Sequence, residues 1–259
     1  MTTPGASLSY VLLGNGRVAL QFLARVCERG QAPALLIRNA LGDQRCGDEL
    51  AETARAANVP VLDWSPETRA TLLRLATTGE LWLLSVYFLH IIDAELLAAV
   101  SGRAINLHPA LLPWGRGRHT NVWPIIEQSP AGVTLHAMTG AVDAGPILLQ
   151  REVPVEPWDT GGTLYDKLEE AGARLLLEAW PSDVLARWPG VPQPPGGSTH
   201  RAQEFARLDE FDLDAAPEVV HDFARLLRAK SFPPYRGLVL RSDGRAMEAT
   251  LVLRPLPDE

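Results

Sequence analysis

The stretch LSYVLLGNGRVALQFLARVCERG, residues 8–30, decides the fold. Its first six residues form a nearly continuous apolar run, the pattern of a strand buried on both faces. Gly14, Asn15 and Gly16 supply a tight turn, and the apolar residues that follow recur at helical spacing up to Gly30, a helix-ending residue. Working outward, 33–38 reads as a second strand, 47–58 as a helix, 59–62 as a short strand and 67–77 as another helix. The run 81–86 is again apolar throughout, Asp93 is placed to cap a helix reaching Val100, and 104–108 is a further strand. Strands and helices alternate, so the expected fold class is α/β, Rossmann-like, with a mostly parallel sheet.

Beyond this core, Asn121 is placed to cap a short helix that contains Pro124. Val133, Leu135 and Ala137 alternate with Thr134, His136 and Met138, which predicts a strand with one apolar and one mixed face. Asp159 or Thr160 begins an amphipathic helix carrying Leu164, Leu168, Ala171, Leu175 and Trp180 and ending at Pro181. Residues 189–201 turn rich in Pro and Gly and read as a linker. The expected domains are therefore 1–188, the linker, and a C-terminal subdomain at 202–259. That subdomain holds a helix lined by Val219, Val220, Phe223, Leu226 and Leu227, then a β-hairpin turning at Asp243-Gly244.

Hydrophobic residues make up 46% and charged residues 21% of the 259, ordinary values for a soluble globular protein. A net charge of -7 argues against nucleic acid as a partner, since that binding relies on many Lys and Arg contacts to phosphate. Cys27 and Cys46 are the only cysteines, too few for a disulfide framework, which fits a reducing, cytoplasmic setting. No apolar run approaches the ~18 residues a membrane helix requires, so neither a span nor a membrane partner is expected.

Chemistry is concentrated between Ala104 and Gln150. Asn106 and His108 lie two positions apart, so on a strand both side chains leave the same face. The amide can donate to an oxygen gaining charge, and the imidazole can donate a proton or hydrogen bond to the same atom. Asp143, in a Gly-flanked loop, can orient the imidazole or accept a proton from an attacking amine. Neither cysteine lies near a His in sequence and no G-x-S-x-G elbow is present, so direct attack by a substrate amine is the simpler chemistry.

These residues carry a family resemblance. N-L-H-P-x-L-L-P at 106–113, G-R-G at 115–117, G-V-T-L-H-x-M at 132–138 and D-A-G-x-I-L-x-Q at 143–150 resemble the 10-formyltetrahydrofolate-dependent formyltransferases, over roughly 81–180. The resemblance implies catalytic roles for Asn106, His108 and Asp143, and N10-formyltetrahydrofolate as formyl donor. It also implies that the pterin lies against Val86, Phe88, Leu89 and Ile91 and against the loop carrying Thr139, Ala141 and Val142. The chain most resembles members that N-formylate amino sugars carried on nucleotides, with Arg116 and Arg118 as candidates for the phosphates. A modified amino acid, a peptide, glycinamide ribonucleotide or methionyl-tRNA are the other acceptors weighed. The short, acidic C-terminal region speaks against the tRNA, and the residues past the linker speak against the ribonucleotide.

A rival reading starts from Gly14 to Ala19, which fits G-x-G-x-x-A, with Arg38 ending the next strand as in some NADP-dependent oxidoreductases. His90, His119 and His136 read as packed or surface residues rather than metal ligands, and no metal is expected. The hairpin presents a strand edge, which predicts a homodimer.

Overall fold

The computed structural model describes residues 8–252 apart from 41, 43, 78, 209, 213–219 and 243; Val219 and Asp243 thus lie outside the described residues. The chain divides into two compact units. One comprises Met1–His108, Val133–Arg151 and Glu169–Pro194, the other Pro109–Gly132, Glu152–Leu168 and Pro195–Glu259. The last crossing, after Pro194, lies within 189–201, and the earlier crossings lie within 1–188.

The first unit is built on the expected alternation: β1 (Tyr10–Gly14), α1 (Gly16–Glu28), β2 (Leu35–Arg38), α2 (Gly47–Ala56), β3 (Val61–Asp63), α3 (Pro66–Ala76), β4 (Trp82–Val86), α4 (Ala94–Ala99) and β5 (Ala104–His108). After β6 (Arg116–Gly117) and α5 (Trp123–Glu127) of the second unit come β7 (Ala131–Ala137) and β8 (Ile147–Val153), which complete a seven-stranded sheet ordered β3-β2-β1-β4-β5-β7-β8. The first five strands in that order pair in parallel, and β7 joins β5 antiparallel. This is the α/β, mostly parallel sheet expected. Val11, Leu13, Ile37 and Leu83 bury one face in a cluster with Leu72 of α3 and Leu96 of α4. On the other face a side chain at Gly14 would meet Ala19 of α1 at 3.2 Å, so the glycine permits close helix packing.

The helix starts follow their caps. Ser65 accepts from the Thr68 amide before α3, and Asp93 accepts from the Leu96 amide before α4. Arg69 also hydrogen-bonds Asp93 and lowers its carboxyl to a pKa of about 2. One expectation needs correction. Asn121 does not cap α5; Val122 precedes that helix with no side-chain cap, and the Asn121 amide donates instead to the Gly161 carbonyl at 2.8 Å. Strand β7 keeps its apolar and mixed faces, but both are buried, as befits a strand flanked on both sides.

In the second unit, α6 (Gly161–Ala179) begins as a reciprocal pair in which the Thr163 amide donates to Thr160 Oγ1 and the Thr160 amide to Thr163 Oγ1. After α7 (Ser182–Ala186) the Pro- and Gly-rich stretch is tied down along its length. Val191 exchanges backbone hydrogen bonds of 2.7 and 2.8 Å with Ile147 of the first unit's sheet, in the same unit as itself. Farther on, β9 (Thr199–His200) pairs in parallel with β6. Then follow α8 (Ala202–Ala206), β10 (Glu210–Asp212), α9 (Val220–Lys230), β11 (Leu238–Ser242) and β12 (Arg245–Ala249). The hairpin of β11 and β12 is as expected, antiparallel with Ser242 opposite Arg245; β10 adds a third, parallel strand that the sequence did not announce.

His119 shows how the second unit is packed. Its ring stacks on Phe205 at 4.0 Å and meets Tyr235 edge-on, while Lys230 Nζ sits 3.7 Å from the Phe205 ring centre. Burial, then the Arg118 and Lys230 charges, depress its pKa to about 4. The unfolded chain therefore binds a proton that the folded one does not between pH 6.5 and 4, so stability is full above 6.5 and falls as pH drops through that window. Discounted for solvent screening, the loss is on the order of 1 kcal/mol. Thermal melts at pH 7 and pH 4.5 should show a smaller drop for His119→Gln than for the unaltered chain.

Candidate active site

The register of β5 against β7 assembles the site. Asn106 stands directly opposite His136, and His108 opposite Thr134, so these four side chains share one face. From the other neighbour, β4, Ser85 is in register with Asn106. Ser85 Oγ donates to Asn106 Oδ1 at 2.7 Å, and Asn106 Nδ2 lies 3.2 Å from His136 Nε2. His136 Nδ1 is 2.9 Å from the Ala137 carbonyl, an acceptor only, so the proton is assigned to Nδ1 and Nε2 accepts from Asn106. The Asn106 amide is thus fixed at both ends, with its second N–H left for a ligand oxygen.

The loop after β7 returns Asp143 to this face. Its Oδ1 stands 3.6 Å from His108 Nδ1 and 3.6 Å from His136 Nε2. That is ion-pair range but beyond a direct hydrogen bond. Asp143 adopts a left-handed backbone (φ 50°), a conformation Asp tolerates better than most residues. Two residues on, a Cβ at Gly145 would lie 1.7 Å from the Ala137 carbonyl oxygen, so only glycine lets the loop lie this close to β7. Asn106, His108 and Asp143, singled out from the sequence, are therefore gathered within one unit.

His136 is packed, 2% exposed, and in addition touches Asn106 and faces Asp143. Its signal was the shared period of Thr134 and His136 with His108 and Asn106 across an antiparallel pair. Ser85, in the middle of an apolar run, carried none. Among the residues expected to hold the pterin, Val86 is fully buried and its carbonyl accepts from the Asn15 amide. Phe88 packs edge-on against Trp64 at 5.4 Å. Leu89 and Ile91 expose apolar surface, 38% and 74%, and so does Val142, 55%. Thr139 and Ala141 are exposed, with Thr139 Oγ1 donating to the Ala141 carbonyl. The 87–91 loop is braced by Asn39, whose Oδ1 accepts from the Leu89 amide, and by His90 Nε2, which accepts from the Ala40 amide. Arg116 and Arg118 belong to the second unit, on and just after β6, with Arg118 the more exposed.

The dinucleotide reading loses both its supports. The Arg38 guanidinium is engaged by Asp63 Oδ1 at 2.7 Å and the Gly47 carbonyl at 2.6 Å. At the start of α1, the Gly16 amide donates to the Arg45 carbonyl and Asn15 Oδ1 accepts from the Arg45 amide, so this first amide is already engaged by the chain.

Residues 68–180 match the family model described as "Formyl transferase". A dTDP-4-amino-4,6-dideoxyglucose formyltransferase of Mycobacterium bovis is 30% identical over 154 residues, 59% of this chain and 65% of that protein, so the match spans less than two thirds of the relative's length. A sugar N-formyltransferase structure from Shewanella superposes with a TM-score of 0.80 at 22% identity, covering 97% of this chain and 100% of the other. The formyltransferase PseJ from Anoxybacillus kamchatkensis, solved with UDP-4,6-dideoxy-4-formamido-L-AltNAc and tetrahydrofolate, is 27% identical with a TM-score of 0.55, covering 77% of this chain and 88% of that one. The matched segment includes Ser85, Asn106, His108, His136 and Asp143.

Proposed function

We propose that this protein transfers a formyl group from 10-formyltetrahydrofolate to a primary amine of a nucleotide-linked amino sugar. The observation that carries the reading is the meeting of Asn106, His108 and Asp143 on one face, within the segment that matches the formyl transferase model. The donor fits the residues present. Leu89, Ile91 and Val142 offer exposed apolar surface in the same unit, suited to a flat heterocycle, and a folate derivative lies in the related PseJ structure. The acceptor class is supported by the dTDP-linked and UDP-linked amino sugars named for the relatives. Arg116 and Arg118 are the side chains proposed for the diphosphate, where a guanidinium pairs well with phosphate oxygens.

When bound, the donor supplies a formyl carbon attached to N10. Asn106 Nδ2 and His108 hold the formyl oxygen as it takes on charge while the acceptor nitrogen closes on the carbon. Asp143 takes the proton that the attacking amine must lose, directly or through one water. The new C–N bond forms, the C–N10 bond breaks, and His108 or water returns a proton to N10, so charge and atoms balance. Asp143 and His108 stand 3.6 Å apart and need to close by less than about 1 Å to pass that proton directly.

The reading is tested by incubating the full chain with 10-formyltetrahydrofolate and, separately, dTDP-4-amino, dTDP-3-amino and UDP-4-amino sugars and glycinamide ribonucleotide. Mass spectrometry should find one formyl gain, about 28 Da, on a nucleotide sugar. Formylation of the ribonucleotide alone would overturn the acceptor class, and formylation of none of them the reading itself.

A further inference from the structure

Gln193 is fifty residues beyond Asp143 in sequence, yet its side-chain Nε2 donates to the Asp143 carbonyl at 2.7 Å and to the Gly145 carbonyl at 2.9 Å. A primary amide nitrogen carries two hydrogens, so one group secures two carbonyls across the turn. The segment that presents it is itself anchored, because Val191, two residues earlier, exchanges both backbone hydrogen bonds with Ile147 at the start of β8. Asp143 holds a left-handed backbone, which a non-glycine residue keeps only where its surroundings fix it. The clamp grips the peptide carbonyls on either side of Ala144, next to the bonds that set where the Asp143 carboxylate points.

We propose that Gln193 is a positioning residue for formyl transfer: its amide fixes the 143–145 turn and so aims the Asp143 carboxylate at His108 and His136. This rests on the proton-accepting role of Asp143 proposed above. The titratable groups facing that carboxylate are those two imidazoles, from β5 and β7. The role requires a donor at the end of the side chain, and it distinguishes variants of similar size. Methionine fills the space of glutamine without donating, and glutamate turns a carboxylate toward two carbonyl oxygens. Lysine restores N–H donors on a stem of comparable reach.

The test measures steady-state formyl transfer by the full chain with 10-formyltetrahydrofolate and the nucleotide sugar consumed best. Gln193→Met is expected to lower kcat tenfold to a hundredfold, the scale on which a small misplacement of a reacting group acts, with KM for both substrates within about twofold. The acid limb of its kcat–pH profile should move as well, because the Asp143 carboxylate would no longer be held 3.6 Å from the His108 and His136 nitrogens. Gln193→Lys should recover most of the rate and the original profile. If the methionine variant does not fold, Gln193→Glu carries the same expectation. Unchanged kcat and pH profile in the donor-free variants, or an equal loss in the lysine variant, would overturn the proposal. Full activity in Asp143→Asn would instead overturn the role of Asp143 on which it rests, whatever Gln193 does.

Discussion

Asp143→Asn is expected to lower kcat a hundredfold to ten-thousandfold while the protein melts within about 2 °C of the unaltered chain. The two side chains have the same shape, and Asn is among the few residues that tolerate the left-handed backbone found there. The Gln193 clamp binds only the main chain of the loop, so it survives the substitution. What disappears is a carboxylate placed 3.6 Å from each of two imidazoles, which an amide cannot replace as a proton acceptor. Substrate affinity should change little, because the contribution is needed as the amine loses its proton and not before. Steady-state kinetics beside a circular-dichroism melt checks both halves. A rate within threefold of the original would remove Asp143 from the chemistry.

Asn106→Ala should lower kcat on a similar scale, about a hundredfold to a thousandfold for one lost oxyanion donor, but with a different signature in stability. Asn106 closes a chain running from Ser85 through its own amide to His136 and on to the Ala137 carbonyl. Truncation strands Ser85 Oγ and His136 Nε2 in a largely buried setting, a cost of about 1–3 kcal/mol for an unpaired polar group. For a protein of this size that corresponds to a melting point lower by several degrees. Adding His108→Ala to Asn106→Ala should cost far less than the product of the single losses, since the two groups act on one oxygen. Independent, multiplying losses would mean that they serve different atoms.

The parallel half of the fold was legible because β1, β2 and β4 are apolar runs and because Asp93, at the start of α4, carries the cap its position suggested. Asn106 and His108 were legible for a local reason, their spacing of two on one strand. What the chain hid are facts of pairing. The facing of Asn106 and His136 depends on the antiparallel register of β7, which no residue within β7 specifies alone. Asn121 looked like a cap by its position, yet the Gly161 carbonyl, forty residues on, holds its amide. The Pro- and Gly-rich stretch looked like a tether because such residues avoid regular structure, yet its backbone pairs with Ile147 and its Gln193 reaches the Asp143 turn. Long-range hydrogen bonds of this kind leave no periodicity for a reader of sequence to find.

The most direct test is a rapid-quench single turnover with excess enzyme, 10-formyltetrahydrofolate labelled with carbon-13 in the formyl group, and the nucleotide amino sugar. The unaltered chain should move the label to the sugar nitrogen as a formamide within one turnover, and His108→Ala, folded and able to bind both substrates, should do so at least a hundredfold more slowly. Label transfer at the original rate by the folded His108→Ala protein would contradict the assignment of the chemistry to this cluster.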